Sequence, residues 1–213
     1  MEENLHSTTT FTYFLWQIFL NIHPIRNVSQ VNSLNQESCY VETIQKHQVL
    51  KILIGGEGGI GKTTLMNACK GTFTEGTRMT VGVDIHEKTV HLSDKKVKLA
   101  IWDLGGQERF HFILPSFMKG AHGGIVCFSL ERYKSFLEAE KWILMMRSIN
   151  PSIPLILVGT KADIECTGND VDLGEIEQLV QNHELLGYIR TSSKSGEGVE
   201  GLIETIIGCF LDP

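Results

Sequence analysis

The sequence predicts an α/β domain: a mostly parallel sheet with helices packed against it. Three observations carry this. From Gln48 onward, short apolar runs alternate with stretches of helical period, the pattern of repeated strand and helix units. Several of those runs are apolar almost throughout, as buried strands are. A glycine-rich segment, Gly56-Glu57-Gly58-Gly59-Ile60-Gly61-Lys62-Thr63, joins the first run to the first helical stretch. Hydrophobic residues make up 42% and charged residues 21% of the 213, enough to form a core and too apolar for a wholly disordered chain.

The elements follow in order. Val49–Ile54 reads as a buried strand that ends at Gly55-Gly56. Lys62–Lys70 is a short helical stretch. Val83–Leu92 and Val97–Asp103 flank the polar Ser93-Asp94-Lys95-Lys96 and read as an antiparallel hairpin. Gly123–Ser129 is a further apolar run. Ser135–Ser148 has helical period through Phe136, Trp142, Ile143 and Met146. Leu155–Gly159 is another buried strand, Leu173–His183 a helix, Tyr188–Thr191 a last strand and Val199–Leu211 a closing helix. The sum is a six-stranded mixed sheet in a three-layer α/β/α arrangement with about five helices.

Residues 1–47 differ from the rest: poor in charge, rich in Ser, Thr, Asn and Gln, with one apolar cluster from Phe11 to Ile22. That cluster is shorter than the roughly 20 residues that span a bilayer. Glu2 and Glu3 stand where a secretory signal would be basic. Three readings stay open for this extension: a segment folded back onto the domain, a membrane-surface or partner-binding element, or a poorly ordered tail. With 19 Lys and Arg against 25 Asp and Glu the formal charge is −6, which argues against a nucleic-acid-coating surface. The five cysteines (Cys39, Cys69, Cys127, Cys166, Cys209) form no CxxC pair, so reduced, mostly buried thiols in a cytoplasmic protein are expected.

The sharpest chemistry lies in Gly56 to Thr63, which satisfies G-x-x-x-x-G-K-[ST] between a strand and a helix. The glycines allow successive main-chain N–H groups to turn inward around phosphate oxygens, and the helix N-terminus adds partial positive charge. Lys62 is placed to meet the β- and γ-phosphates, and the Thr63 hydroxyl to coordinate Mg²⁺. This is the signature of a nucleotide-phosphate loop. Alone it does not separate ATP from GTP, or a kinase from a hydrolase.

Three further segments do. Thr160-Lys161-Ala162-Asp163 follows the strand Leu155–Gly159 and is similar to an N/T-K-x-D base-reading motif. Thr191-Ser192-Ser193-Lys194 is similar to a T-S-A-K loop. Trp102-Asp103-Leu104-Gly105-Gly106-Gln107-Glu108 resembles D-x-x-G-Q. With Met79-Thr80-Val81-Gly82-Val83-Asp84, similar to T-I-G-V-D, and the phosphate loop, the stretch from about Val49 to Phe210 resembles the small GTPases of the Ras superfamily. The first switch and the TSSK loop are Rab/Ras-like, and the DLGGQ spelling is Arf-like.

The resemblance implies a role for each matching position. Gly56, Glu57, Gly58, Gly59, Ile60, Gly61, Lys62, Thr63 and Thr64 would wrap the phosphates. Asp163 would accept hydrogen bonds from guanine N1–H and its 2-amino group, donors that adenine lacks in that place. Lys161 would lay its stem along the base, with Thr160 in the place where Asn is commoner. Ser192 belongs to the base loop, and the N–H groups of Ser193 and Lys194 would meet guanine O6. Phe73 is the candidate to stack on the base. Thr63, Thr80 and Asp103 would hold Mg²⁺. Catalysis would rest on Gln107 orienting the attacking water, with Lys62, Thr80 and the Gly106 N–H on the γ-phosphate.

The implied activity is slow GTP hydrolysis in a two-state switch for signalling or vesicle trafficking, with an exchange factor, a GTPase-activating protein and effectors as partners. Arg78 and Arg109 read as solvated switch charges, so no arginine is nominated to act in cis. Phe210 occupies the position where a prenylation box needs Cys, and Glu2 rather than Gly follows Met1, so neither prenylation nor myristoylation is expected. Localisation would be cytoplasmic, with any reversible membrane contact resting on the Phe11 to Ile22 cluster. A non-catalytic guanine-nucleotide module is the alternative, and an ATP-using enzyme a more distant one.

Overall fold

The computed structural model describes residues 48–73, 79–92, 95–164 and 171–211; the N-terminal extension and its apolar cluster lie outside the described residues. The elements are β1 (Gln48–Gly55), α1 (Lys62–Cys69), β2 (Val83–Leu92), β3 (Lys95–Leu104), a 3-10 turn (Glu108–Phe110), α2 (Leu114–Met118), β4 (Gly123–Ser129), α3 (Tyr133–Ile149), β5 (Leu155–Thr160), α4 (Leu173–Asn182), β6 (Tyr188–Arg190) and α5 (Val199–Leu211). They build one six-stranded sheet in the order β2-β3-β1-β4-β5-β6. The β2–β3 hairpin is antiparallel, and every other pairing is parallel, so the sheet is mixed and mostly parallel as the sequence predicts.

Period-two alternation divides the central strands between two cores. Ile52, Ile54, Ile125, Cys127, Ile156 and Val158 face one side, where Leu65 and Met66 of α1 and Leu202 and Ile206 of α5 cover them. Leu53, Val126, Phe128, Leu155 and Leu157 face the other, under Leu114 of α2, Phe136, Trp142 and Met146 of α3, and Ile176 of α4. With both faces covered, β4 and β5 are buried along their whole length, which explains their continuous apolar spelling. Trp142 gets close to the sheet because Gly55 lacks a side chain: a Cβ there would stand 2.4 Å from Trp142 Cε3. Cys69 and Cys127 are free, buried thiols, and burial pushes Cys69 up to about 11 and Cys127 higher still.

Three features depart from the sequence expectation. Strand β3 begins at Lys95, so Lys95 and Lys96, expected in the hairpin turn, pair instead with Leu92 and His91. The helix α2 is not foreseen, because Leu114–Met118 is only five residues long, with Pro115 in its first turn, and is too short to display a period. Helix α3 starts two residues earlier than its apolar period, at Tyr133. There the buried Ser135 hydroxyl donates to Arg132 O (2.6 Å) and accepts from Ser129 N (2.8 Å), fixing the turn between β4 and α3. The segments that follow the C-terminal ends of β1, β4, β5 and β6 gather at one edge of the sheet, the place where open α/β sheets bind ligands.

Candidate functional site

The phosphate loop leaves β1 and enters α1 through backbone that only glycine adopts without strain: Gly59 has φ +75° and Gly61, the helix N-cap, φ +99°. Between them Ile60 is fully buried and pins the loop to the core. Lys62 is buried, and its ammonium donates to Gly56 O (2.7 Å) and Glu57 O (2.8 Å). Burial lowers its pKa, opposed by the charges of Asp103 and Glu57. Among the described residues it makes no ion pair, so a buried cation stands ready for an anionic ligand.

Beside it three oxygens converge from three separate elements. Thr63 Oγ1 donates to Asp103 Oδ2 at 2.5 Å and lies 3.0 Å from Thr80 Oγ1, which is itself 3.4 Å from Asp103 Oδ2. Asp103 is fully buried, its pKa is raised by that burial, and its Oδ1 has no hydrogen-bond partner. A buried carboxylate with an orphaned oxygen, next to two hydroxyls, fits a hard divalent cation. No cluster of His, Cys, Asp and Glu able to hold a metal occurs among the described residues. One carboxylate beside two hydroxyls matches what Mg²⁺ takes, one or two carboxylates with phosphate and water completing its shell. Thr63, Thr80 and Asp103 are the three metal residues the sequence nominates.

A cavity of ≈ 50 Å³ is lined by Gly58, Gly59, Gly61, Lys62, Thr63, Met79, Thr80 and Gly106. Gly106 crosses directly over the loop: a Cβ on it would be 2.4 Å from Gly56 O, Glu57 C and Gly58 N, all main chain. The preceding Gly105 donates its N–H to Gly82 O (2.7 Å), so the two switch segments are bonded to each other. Gln107 is not among the cavity-lining residues. Its Oε1 accepts from Arg109 Nε (2.7 Å), and its Nε2 lies 3.7 Å from Met79 Sδ. Met79 itself, a wall of the cavity, was not nominated for any role. Arg78 lies outside the described residues.

The base-reading segments are knitted together. Ser192, fully buried, donates to Asp163 Oδ1 (2.6 Å) and accepts from Lys194 N (3.2 Å) and Ser195 N (3.1 Å). The Lys194 N–H is thereby engaged inside its own loop. Ala162 N bonds Thr191 O at 3.0 Å, and Arg190 donates to Ala162 O at 2.7 Å. Lys161 takes φ +62°, and its ammonium pairs with Glu131. Thr160, although it belongs to this segment, points its buried hydroxyl at the phosphate loop, donating to Ile60 O at 2.6 Å with Phe128 O 3.0 Å away. Phe73 is 45% exposed and lines no part of the cavity.

One site residue escaped the sequence reading altogether. Arg132, in the turn after β4, donates through Nη2 to Gly58 O (2.8 Å) and pairs with Glu57 at 3.2 Å. No motif marks either member, because the positions between the glycines of the phosphate loop tolerate any residue and the partner lies far along the chain.

The geometry thus unites a phosphate loop, a buried lysine, a hard-oxygen cation cradle, and a carboxylate braced by a serine loop at the ends of neighbouring strands. The family model described as the Ras family matches residues 51–211, from within β1 to the end of α5. The chain belongs to the Ras family of small GTP-binding switch proteins.

Proposed function

We propose that this protein binds GTP and GDP with Mg²⁺, hydrolyses GTP slowly and reports the bound nucleotide through its two switch segments. The convergence of Thr63, Thr80 and Asp103 beside buried Lys62 carries this reading, since it joins the phosphate loop to a residue of each switch. Mg²⁺ held by these three would neutralise charge on the β- and γ-phosphate oxygens. Lys62 binds those phosphates as a point charge. Thr80 and Gly106 sit where a terminal phosphate would hold both switches, so its loss frees them.

Gln107 would orient the attacking water after leaving Arg109 and Met79. A non-catalytic nucleotide-binding module is the second reading, favoured by that same engagement of Gln107. Single-turnover phosphate release from GTP, with and without Mg²⁺, decides between them: wild type is expected to exceed Gln107→Leu by at least ~10-fold, and equal rates would defeat hydrolysis by this site. A partner arginine would then add roughly 10³–10⁵ in rate. A cytoplasmic switch in signalling or trafficking, met by an exchange factor, an activating protein and effectors at the switch segments, is the cellular role that accords with this chemistry. Nucleotide-dependent flotation on liposomes, lost when residues 1–47 are removed, would add reversible membrane contact through the extension.

A further inference from the structure

We propose that Arg132 is a positioning residue for the phosphate loop, cancelling the charge of Glu57 and holding the Gly58 carbonyl so that the loop accepts a triphosphate. The inference rests on the nucleotide reading above. Its starting point is a conflict. Glu57 sits within the loop, directly after Gly56, and its own carbonyl accepts from Lys62. A carboxylate in that position sets negative charge against the very anion the loop is shaped to take.

Arg132 resolves it. One guanidinium nitrogen donates to Gly58 O (2.8 Å) and lies 3.2 Å from Glu57 Oε2 as an ion pair, while that carboxylate oxygen and Arg132 Nε are buried without a hydrogen-bond partner. A flexible surface pair would be worth little. This one is presented by a fixed turn: Arg132 N donates to Ser129 O (3.0 Å), and the buried Ser135 hydroxyl donates to Arg132 O (2.6 Å). Its charge also reaches the catalytic lysine. Burial lowers the Lys62 pKa, Glu57 works against that lowering and Arg132 works with it. Lysine is not an equal substitute, since its ammonium is more strongly hydrated than a guanidinium and gives up more to sit against the loop carbonyl and the carboxylate. The effect belongs more to GTP than to GDP, because Gly58 shares the cavity with Met79, Thr80 and Gly106 of the switch segments.

The test is a double-variant cycle in the full-length protein, measuring dissociation constants for GDP and for a non-hydrolysable GTP analogue with Mg²⁺. Arg132→Met is expected to weaken the analogue by ~10-fold or more and GDP by less, with Arg132→Lys between it and wild type. Combining Glu57→Gln with Arg132→Met restores most of the loss, because the uncompensated carboxylate is gone; a merely structural role for Arg132 would not be rescued by removing charge elsewhere. Glu57→Gln alone closes the cycle, and thermal midpoints of all variants identify any that do not fold. Wild-type affinity in Arg132→Met, or no rescue in the double variant, overturns the proposal. If Arg132→Met does not fold, Arg132→Lys with wild-type preference for the analogue over GDP overturns it as well. Failure of the wild type to bind either nucleotide would instead defeat the nucleotide reading.

Discussion

Replacing Thr160 by valine removes one hydroxyl and almost nothing else, since the two side chains have the same shape. Thr160 is 3% exposed, and its hydroxyl donates to Ile60 O at 2.6 Å, with Phe128 O at 3.0 Å as its other acceptor. Losing a buried hydrogen bond costs about 1 kcal/mol when water can replace the partner and about 1–3 kcal/mol when the acceptor is left dry. For a domain of this size that corresponds to a fall of about 2–12 °C in Tm. The acceptor lies in the phosphate loop, so the same change should speed GDP release by ~5-fold or more. Thr160→Ser keeps the hydroxyl and should hold both values near wild type. The assays are a thermal melt of the nucleotide-bound protein and the dissociation rate of a fluorescent GDP. Wild-type Tm and release in Thr160→Val would show that the hydroxyl ties nothing to the loop, and the argument from its geometry would be wrong.

Gly106→Ala places a methyl 2.4 Å from three main-chain atoms of the phosphate loop, so the second switch must move away. GDP binding should survive, whereas the preference for a GTP analogue over GDP should drop by ~10-fold, read by competition binding. Asp163→Asn keeps the Ser192 contact within reach but offers a donor where guanine also donates; it should weaken GDP by ~10-fold or more while leaving the Tm of the nucleotide-free protein within a few degrees. Chelating Mg²⁺ should accelerate GDP release by ~10-fold or more in wild type and much less in Thr63→Ala, in which the cradle has already lost one oxygen.

Much of the fold is legible because the central strands are covered on both faces, which forces runs such as those of β4 and β5 to be apolar throughout. The phosphate loop and the meeting of Thr63, Thr80 and Asp103 are legible for another reason: they are built from main chain, a lysine, a carboxylate and short hydroxyls, whose spacing the backbone dictates. The five-residue α2 is not, since a helix that short is stabilised by the surface it packs on rather than by a period of its own. Neither are the contacts of Arg132 and Gln107. The Arg132 pair exists only because β4 lies beside β1, a fact of strand order. Gln107 has the family's residue type, but its engagement by Arg109 and Met79 depends on side-chain packing at an exposed edge that no motif encodes.

The anchors of the phosphate loop also explain how its amides come to face one way. In a trans peptide the C=O of one residue and the N–H of the next point in opposite directions. Gly58 O is held by Arg132, Ile60 O by Thr160 and Gly61 O by Leu65 N at 2.8 Å. The N–H groups of Gly59, Gly61 and Lys62 are therefore turned away from those three donors, forming an arc of the kind that binds phosphate oxygens. Each anchor comes from a different element: the turn after β4, the end of β5 and the first turn of α1. On this view Thr160, although it stands in the base-reading segment, acts on the phosphates. Its loss should weaken GDP and ADP by the same factor and leave their ratio at the wild-type value. A ratio that shifts toward ADP in Thr160→Val would place the hydroxyl in base selection instead and break the link between strand order and loop geometry.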